Sequence, residues 1–163
     1  MKRTLISLLL LTALLALGPV APTPAASPLV SSAASIALAP TQITTACGDL
    51  TLGGTLNLVT QVTHPTDPCQ AQALVHGAGV LQGSTNDGRR FFAVLSPSWT
   101  QTTACLGGPT TDVALFFRLQ PNGTPFTPVD PCKDAVIEGT LHIAFTAAGQ
   151  LDTSSTFVSL GTS

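Results

Sequence analysis

Charge is what this sequence has least of. Only 9% of its 163 residues are Asp, Glu, Lys or Arg, against about a quarter in an ordinary soluble domain. Beyond Lys2 and Arg3 the basic residues are Arg89, Arg90, Arg118 and Lys133, four against eight acidic residues, a net charge of −4. Binding to nucleic acid or to an anionic membrane surface needs clustered Lys and Arg, so both partners are excluded. The surface must instead be built from Thr, Ser, Gln and Asn. Thr in particular fits the pleated, half-wet face of a strand.

Other absences narrow the chemistry. There is no C-x-x-C, so a zinc knuckle or thiol redox motif has no support. G-x-S-x-G, H-E-x-x-H, a Walker loop and G-x-G-x-x-G are missing too. Gly77-Ala78-Gly79 starts like a nucleotide loop but runs to Gly83 at the wrong spacing. No segment after the N-terminal run carries an apolar stripe at helical spacing, and no cysteine occurs before Cys47, which speaks against a lipid anchor.

The chain opens with Met1-Lys2-Arg3, then an apolar run from Leu5 to Leu17, then Gly18-Pro19 and small residues. That order is the layout of a secretory signal peptide, and the run is too short for an ordinary span of roughly 20 residues. Residues 1–26 read as the signal, cleaved near Ala25 or Ala26, with Ala34 and Ala39 as later candidates. Residues 27–40 read as a disordered Pro/Ala/Ser spacer, and residues 41–163 as a single all-β domain, secreted, periplasmic or on the cell surface.

Four cysteines after an export signal predict two disulfides. Their flanks echo one another: Thr44-Thr45-Ala46-Cys47 matches Thr102-Thr103-Ala104-Cys105, and Asp67-Pro68-Cys69 matches Asp130-Pro131-Cys132. Such an echo suggests two copies of one supersecondary unit. Three connectivities are open. Local closure, Cys47–Cys69 and Cys105–Cys132, is the choice that closes the shorter loops.

Period-two alternation runs through most of the domain. Leu56, Leu58, Thr60 and Val62 share one face, with Val59 as the exception. Val113, Leu115, Phe117 and Leu119 share another, and so do Ile137, Leu141, Ile143 and Phe145. Gly77 and Gly79 predict a bulge or sharp bend, and Asn86-Asp87-Gly88 a hairpin turn. A three-residue loop at Ala148-Gly149-Gln150 would place Phe157 opposite Leu141 on the apolar face. A two-residue loop would shift that pairing. The pattern predicts a small antiparallel β-barrel of roughly seven to nine strands, with a β-sandwich as the alternative. Phe92, Val94, Ala114 and Phe116 make two strands apolar on both faces, which calls for a covering loop or a homo-oligomeric contact.

The titratable candidates are few. Glu138 and His142 are four apart in one strand and share a face. With His76 they are the weak candidates for a catalytic pocket, although the alternation turns Glu138 and His142 outward. The histidines His64, His76 and His142 have no ligand spacing, so no metal or cofactor is expected. Arg89 and Arg90 flank the hairpin turn and could meet an anionic ligand.

The chain resembles uncharacterised exported bacterial all-β proteins. The likeness lies in Cys47-Gly48, in Gly77-Ala78-Gly79 followed by Thr85-Asn86-Asp87-Gly88, and in the run from His142 to Gly149. It implies export and β-structure, and no activity. Where that likeness calls for a tyrosine, this chain has Phe91 or Phe92. The expected function is that of a secreted, non-enzymatic domain binding a small hydrophobic ligand or an extracellular partner. The alternatives are a secreted enzyme with a His/Glu pocket and a structural or adhesive surface module.

Overall fold

Alternating apolar residues set against Thr, Ser and Gln make strands of nearly the whole domain. In the computed structural model, which describes residues 29–63, 66–133 and 135–161, seven strands follow in order. They are β1 (Leu29–Thr45), β2 (Gly48–Thr63), β3 (Ala71–Thr85), β4 (Arg90–Ala104), β5 (Thr111–Pro121), β6 (Val136–Ile143) and β7 (Phe157–Leu160). Each pairs antiparallel with the next in one seven-stranded sheet of order β1 to β7.

The sheet curls into a nearly closed barrel, as the expected architecture requires. Its two edges come together where the Leu151 amide donates to Ser32 Oγ at 3.2 Å and Gly149 lies against Val30. The faces assigned by alternation are the faces found. Leu56, Leu58, Thr60 and Val62 point inward, as do Val113, Leu115, Phe117 and Leu119. From β6 and beyond, Ile137, Leu141, Ile143 and Phe145 do the same, and all of these are buried. Small residues on β3 leave room for large ones on β2: a Cβ at Gly79 would lie 2.7 Å from Leu56 Cδ2. The β3–β4 register shifts between Gly77 and Gly79, where the glycines predicted a bulge. Among the described residues no loop covers Phe116, which stays 53% exposed.

Three expectations need correction. Residues 29–40 are not a disordered spacer but most of β1. Within the low-complexity composition, Val30, Ser32, Ala34, Ile36 and Leu38 alternate toward the interior while Leu29, Ser31, Ala33, Ser35 and Ala37 face out. A continuous ladder to β2 satisfies their backbone, and Pro40 falls at the break in register between Leu38 and Thr41, where no ladder donor is required.

The disulfides are Cys47–Cys132 and Cys69–Cys105, not Cys47–Cys69 and Cys105–Cys132. In an up-and-down meander, successive connections alternate between the two barrel ends. Cys47 and Cys69 flank β2, whose 16 residues hold them about 50 Å apart at roughly 3.3 Å per residue. Cys105 and Cys132 are separated in the same way by β5. Each observed bond joins a Thr-Thr-Ala-Cys segment to an Asp-Pro-Cys segment at one end of the barrel. The two Asp-Pro-Cys segments fold alike: Asp67 Oδ1 accepts from the Cys69 amide and Asp130 Oδ1 from the Cys132 amide, both at 2.9 Å.

The last hairpin is also offset by one residue. Leu141 pairs with Val158, and His142 with Phe157. The connection is not a single three-residue loop. It holds a bridge between Phe145 and Leu151 and then a second turn, in which Asp152 accepts from the Ser154 amide and from the hydroxyls of Ser154 and Ser155. Those bonds hold the Asp152 carboxyl below its ordinary value, Ser154 contributing most. Val158 therefore turns inward, while Phe157 and Ser159 face solvent.

Candidate functional site

A packed interior leaves a ligand little room inside the barrel. Phe91, Phe117, Leu50, Leu52, Leu56, Leu58 and Leu81 are all essentially inaccessible. A void among Val75, Leu95, Val113, Leu115 and Leu141 measures about 70 Å³, where small-molecule sites run to roughly 300–1,000 Å³. It lies beyond the pairs that join β4 to β5 among the described residues, Phe91–Leu95 against Phe117–Pro121.

A larger concavity, about 470 Å³, opens at the barrel end that carries Cys47–Cys132. It lies between the β3–β4 turn and the β5–β6 loop. Its walls include Arg89, Arg90, Phe91, Asn122, Phe126 and Asp130. The Phe91 and Phe126 rings stack with centroids 5.9 Å apart, and the Arg89 guanidinium lies 5.5 Å above Phe91 as a cation–π contact. Arg89 Nη1 donates to Asp130 Oδ2 at 3.2 Å and, more loosely, to Oδ1 at 3.4 Å. Arg89 Nε lies 3.3 Å from Asp87 Oδ2, near enough for an ion pair but not aligned as a hydrogen bond.

Two further restraints stiffen this mouth. The Thr85 hydroxyl donates to Asp87, which is the main reason the Asp87 carboxyl is held below its ordinary value; the Arg89 amide and charge add to the effect. The Asn122 amide donates to the Arg90 carbonyl at 2.9 Å, tying the loop to β4. Arg89 is thus committed to two carboxylates. The exposed Arg90 has no ion pair among the described residues. The mouth offers one half-buried ring, Phe126, backed by the buried Phe91, with hydroxyl and amide groups and one uncommitted cation.

The three sequence candidates do not converge. His76 lies on β3, where its ring packs 4.8 Å from that of Trp99 on the outer face. Two strands, β4 and β5, separate it from β6. Glu138 and His142 both face out from β6, about 13 Å apart at the rise of a strand. His64 lies outside the described residues, and among those described no group of His, Cys, Asp and Glu could hold a metal.

His142 has other neighbours, which sequence reading missed. Its Nδ1 lies 2.7 Å from Asp112 Oδ1 and its Nε2 lies 3.0 Å from Ser159 Oγ. Asp112 is its ladder partner on β5 and Phe157 its ladder partner on β7. The Phe157 ring stacks on the imidazole with centroids 4.5 Å apart. Only a correct β6–β7 register exposes Ser159, and the inward pair Val158 and Leu160 was the available signal.

No helix among the described residues is long and apolar enough to cross a membrane. Two disulfides agree with an oxidising compartment. Comparison with family models, with curated proteins and with solved structures finds no match, so the reading of this barrel rests on its own residues.

Proposed function

We propose that this chain is an exported β-barrel domain whose mouth binds a small ligand without reacting with it, the ligand carrying an apolar body and an anionic group. One observation carries the reading: the cavity of about 470 Å³ sets the Phe91–Phe126 stack beside Arg90. An apolar body would lie on the half-buried Phe126 ring, which the buried Phe91 backs from the core, and a carboxylate would take Arg90 as its counter-ion. Cys47–Cys132 and the Arg89–Asp130 pair hold the β5–β6 loop in place, so little ordering cost falls on binding. Export by a signal peptide of residues 1–26 fits the same reading. Cleavage near Ala25 or Ala26 leaves β1 whole, whereas cleavage at Ala34 or Ala39 would remove strand residues that pair with β2.

Amide NMR titration with octanoate and phenylacetate, against octanol and benzyl alcohol, tests the proposal. The expected shifts fall on residues 88–91 and 121–130. Phe126→Ala weakens all four ligands, and Arg90→Gln weakens the two acids alone. Shifts centred elsewhere, or none at millimolar ligand, would overturn the proposal.

A further inference from the structure

The group around His142 lies near the other barrel end and takes no part in mouth binding. Three adjacent strands each contribute one outward residue: Asp112 from β5, His142 from β6 and Ser159 from β7. The Asp112 carboxylate can only accept, so it fixes the imidazole with its proton on Nδ1. Nε2 is left as an acceptor, and the bond at 3.0 Å is then donated by the Ser159 hydroxyl. This is a nucleophile, a base and an orienting carboxylate within hydrogen-bond reach, the arrangement that identifies an activated serine by geometry rather than by sequence position. The Phe157 stack holds the ring plane. Thr140, the ladder partner of Ser159, and Gly161 line a shallow hollow of about 180 Å³ that also touches Ala114, Phe116 and Glu138. None of Asp112, His142 and Ser159 lines that hollow, so it adjoins the serine only through its ladder partner Thr140.

We infer that Asp112, His142 and Ser159 make a second, hydrolytic site on the barrel wall, acting on small activated esters. Ser159 Oγ adds to the ester carbonyl carbon while its proton passes to His142 Nε2. Collapse of the adduct breaks the bond to the leaving oxygen, which takes the proton back from Nε2. Water then repeats the addition on acyl-Ser159, giving the carboxylic acid and the free serine. The balance is ester plus water to acid plus alcohol, and no other reactant is needed. Thr140, across the ladder from Ser159, is the residue whose hydroxyl would have to donate to the developing oxyanion. Asp112 acts through His142 and is a positioning residue.

The test is covalent labelling of the exported chain with an alkyl fluorophosphonate, followed by intact mass and tryptic mapping, alongside the burst of p-nitrophenolate released from p-nitrophenyl acetate. A single adduct is expected on Ser159, in the peptide that follows Lys133. Ser159→Ala should lose both the adduct and the burst. His142→Gln should label about a hundredfold more slowly, the scale of a lost general base. Asp112→Asn should slow labelling and Asp112→Glu should restore part of it, a rescue that mere support of the strand would not produce. Unlabelled wild-type protein, adducts spread over several hydroxyls, or a Ser159→Ala variant that keeps its burst would overturn the inference. All three residues are on the surface, and an unchanged circular dichroism spectrum shows that each variant is folded.

Discussion

Opening the Cys47–Cys132 bond is the perturbation whose cost follows most directly from this topology. The bond spans 85 residues and encloses the 36 spanned by Cys69–Cys105. Alone, a loop of 85 residues would contribute about 4.6 kcal/mol on the chain-entropy relation. The inner bond has already closed its 36 residues, so the effective outer loop is about 49 residues and the contribution about 4 kcal/mol. Cys132 is fully buried, so the clean variant is Cys47→Ala with Cys132→Ala. Serine would add a buried hydroxyl to the ledger. At a urea dependence of about 2 kcal/mol per molar, the midpoint should fall by about 2 M. A loss under about 1 kcal/mol would refute the nested-loop reasoning. The pairing itself is checked without variants. Trypsin cuts after Arg89, Arg90, Arg118 and Lys133. With the observed bonds, the peptides ending at Arg89, Arg118 and Lys133 remain one linked species. Local pairing would release the Arg89 peptide. Acid cleavage at Asp67–Pro68 and Asp130–Pro131 then separates all four cysteines and leaves Cys47 joined only to Cys132.

Two core substitutions follow from the packing. Thr60 is fully buried, and its Oγ1 has no hydrogen-bond partner among the described residues; Thr60→Val should raise stability by about 1 kcal/mol in urea unfolding, and a destabilised variant would mean that the hydroxyl is satisfied. A Cβ at Gly79 would meet Thr55 O and Leu56 Cδ2, each at 2.7 Å, so Gly79→Ala should cost about 1–3 kcal/mol, read as a lower midpoint with unchanged slope.

Legibility followed the range of the interaction. Which residues face the core is written locally, in the alternation of apolar and polar side chains, and it could be read for β2, β5 and β6 down to Val59 as the exception. The bulge at Gly77 and Gly79 is likewise local. Residues 29–40 misled because composition masked alternation: Ala and Ser are small enough to look like a linker, yet every second one lines the interior. Register across the last hairpin depends on an irregular connection held by Asp152, and no period reports it. The site around His142 depends on that register, because its partners lie 30 and 17 residues away in sequence. The cysteine pairing was legible in principle. A strand was expected between each local pair, and a strand is a rod. Loop entropy favours closing the shorter loop only when that loop can bend back on itself.

The same rod-like strands keep the two proposed sites apart. The mouth lies at the end bearing Cys47–Cys132, formed by the β3–β4 turn and the β5–β6 loop. His142 and Phe157 sit at the last pair of the β6–β7 ladder, toward the end bearing Cys69–Cys105. β5 runs between them, with Pro121 at the mouth and Asp112 beside His142. Nine positions at roughly 3.3 Å put the two regions about 30 Å apart. At that distance substitutions act independently, so Arg90→Gln should leave fluorophosphonate labelling unchanged and Ser159→Ala should leave carboxylate binding unchanged. A barrel wall continuous from one end to the other would transmit a change only by shifting register, and the core residue Phe117, paired with Leu95 on β4 and with Ile137 on β6, opposes any such slip.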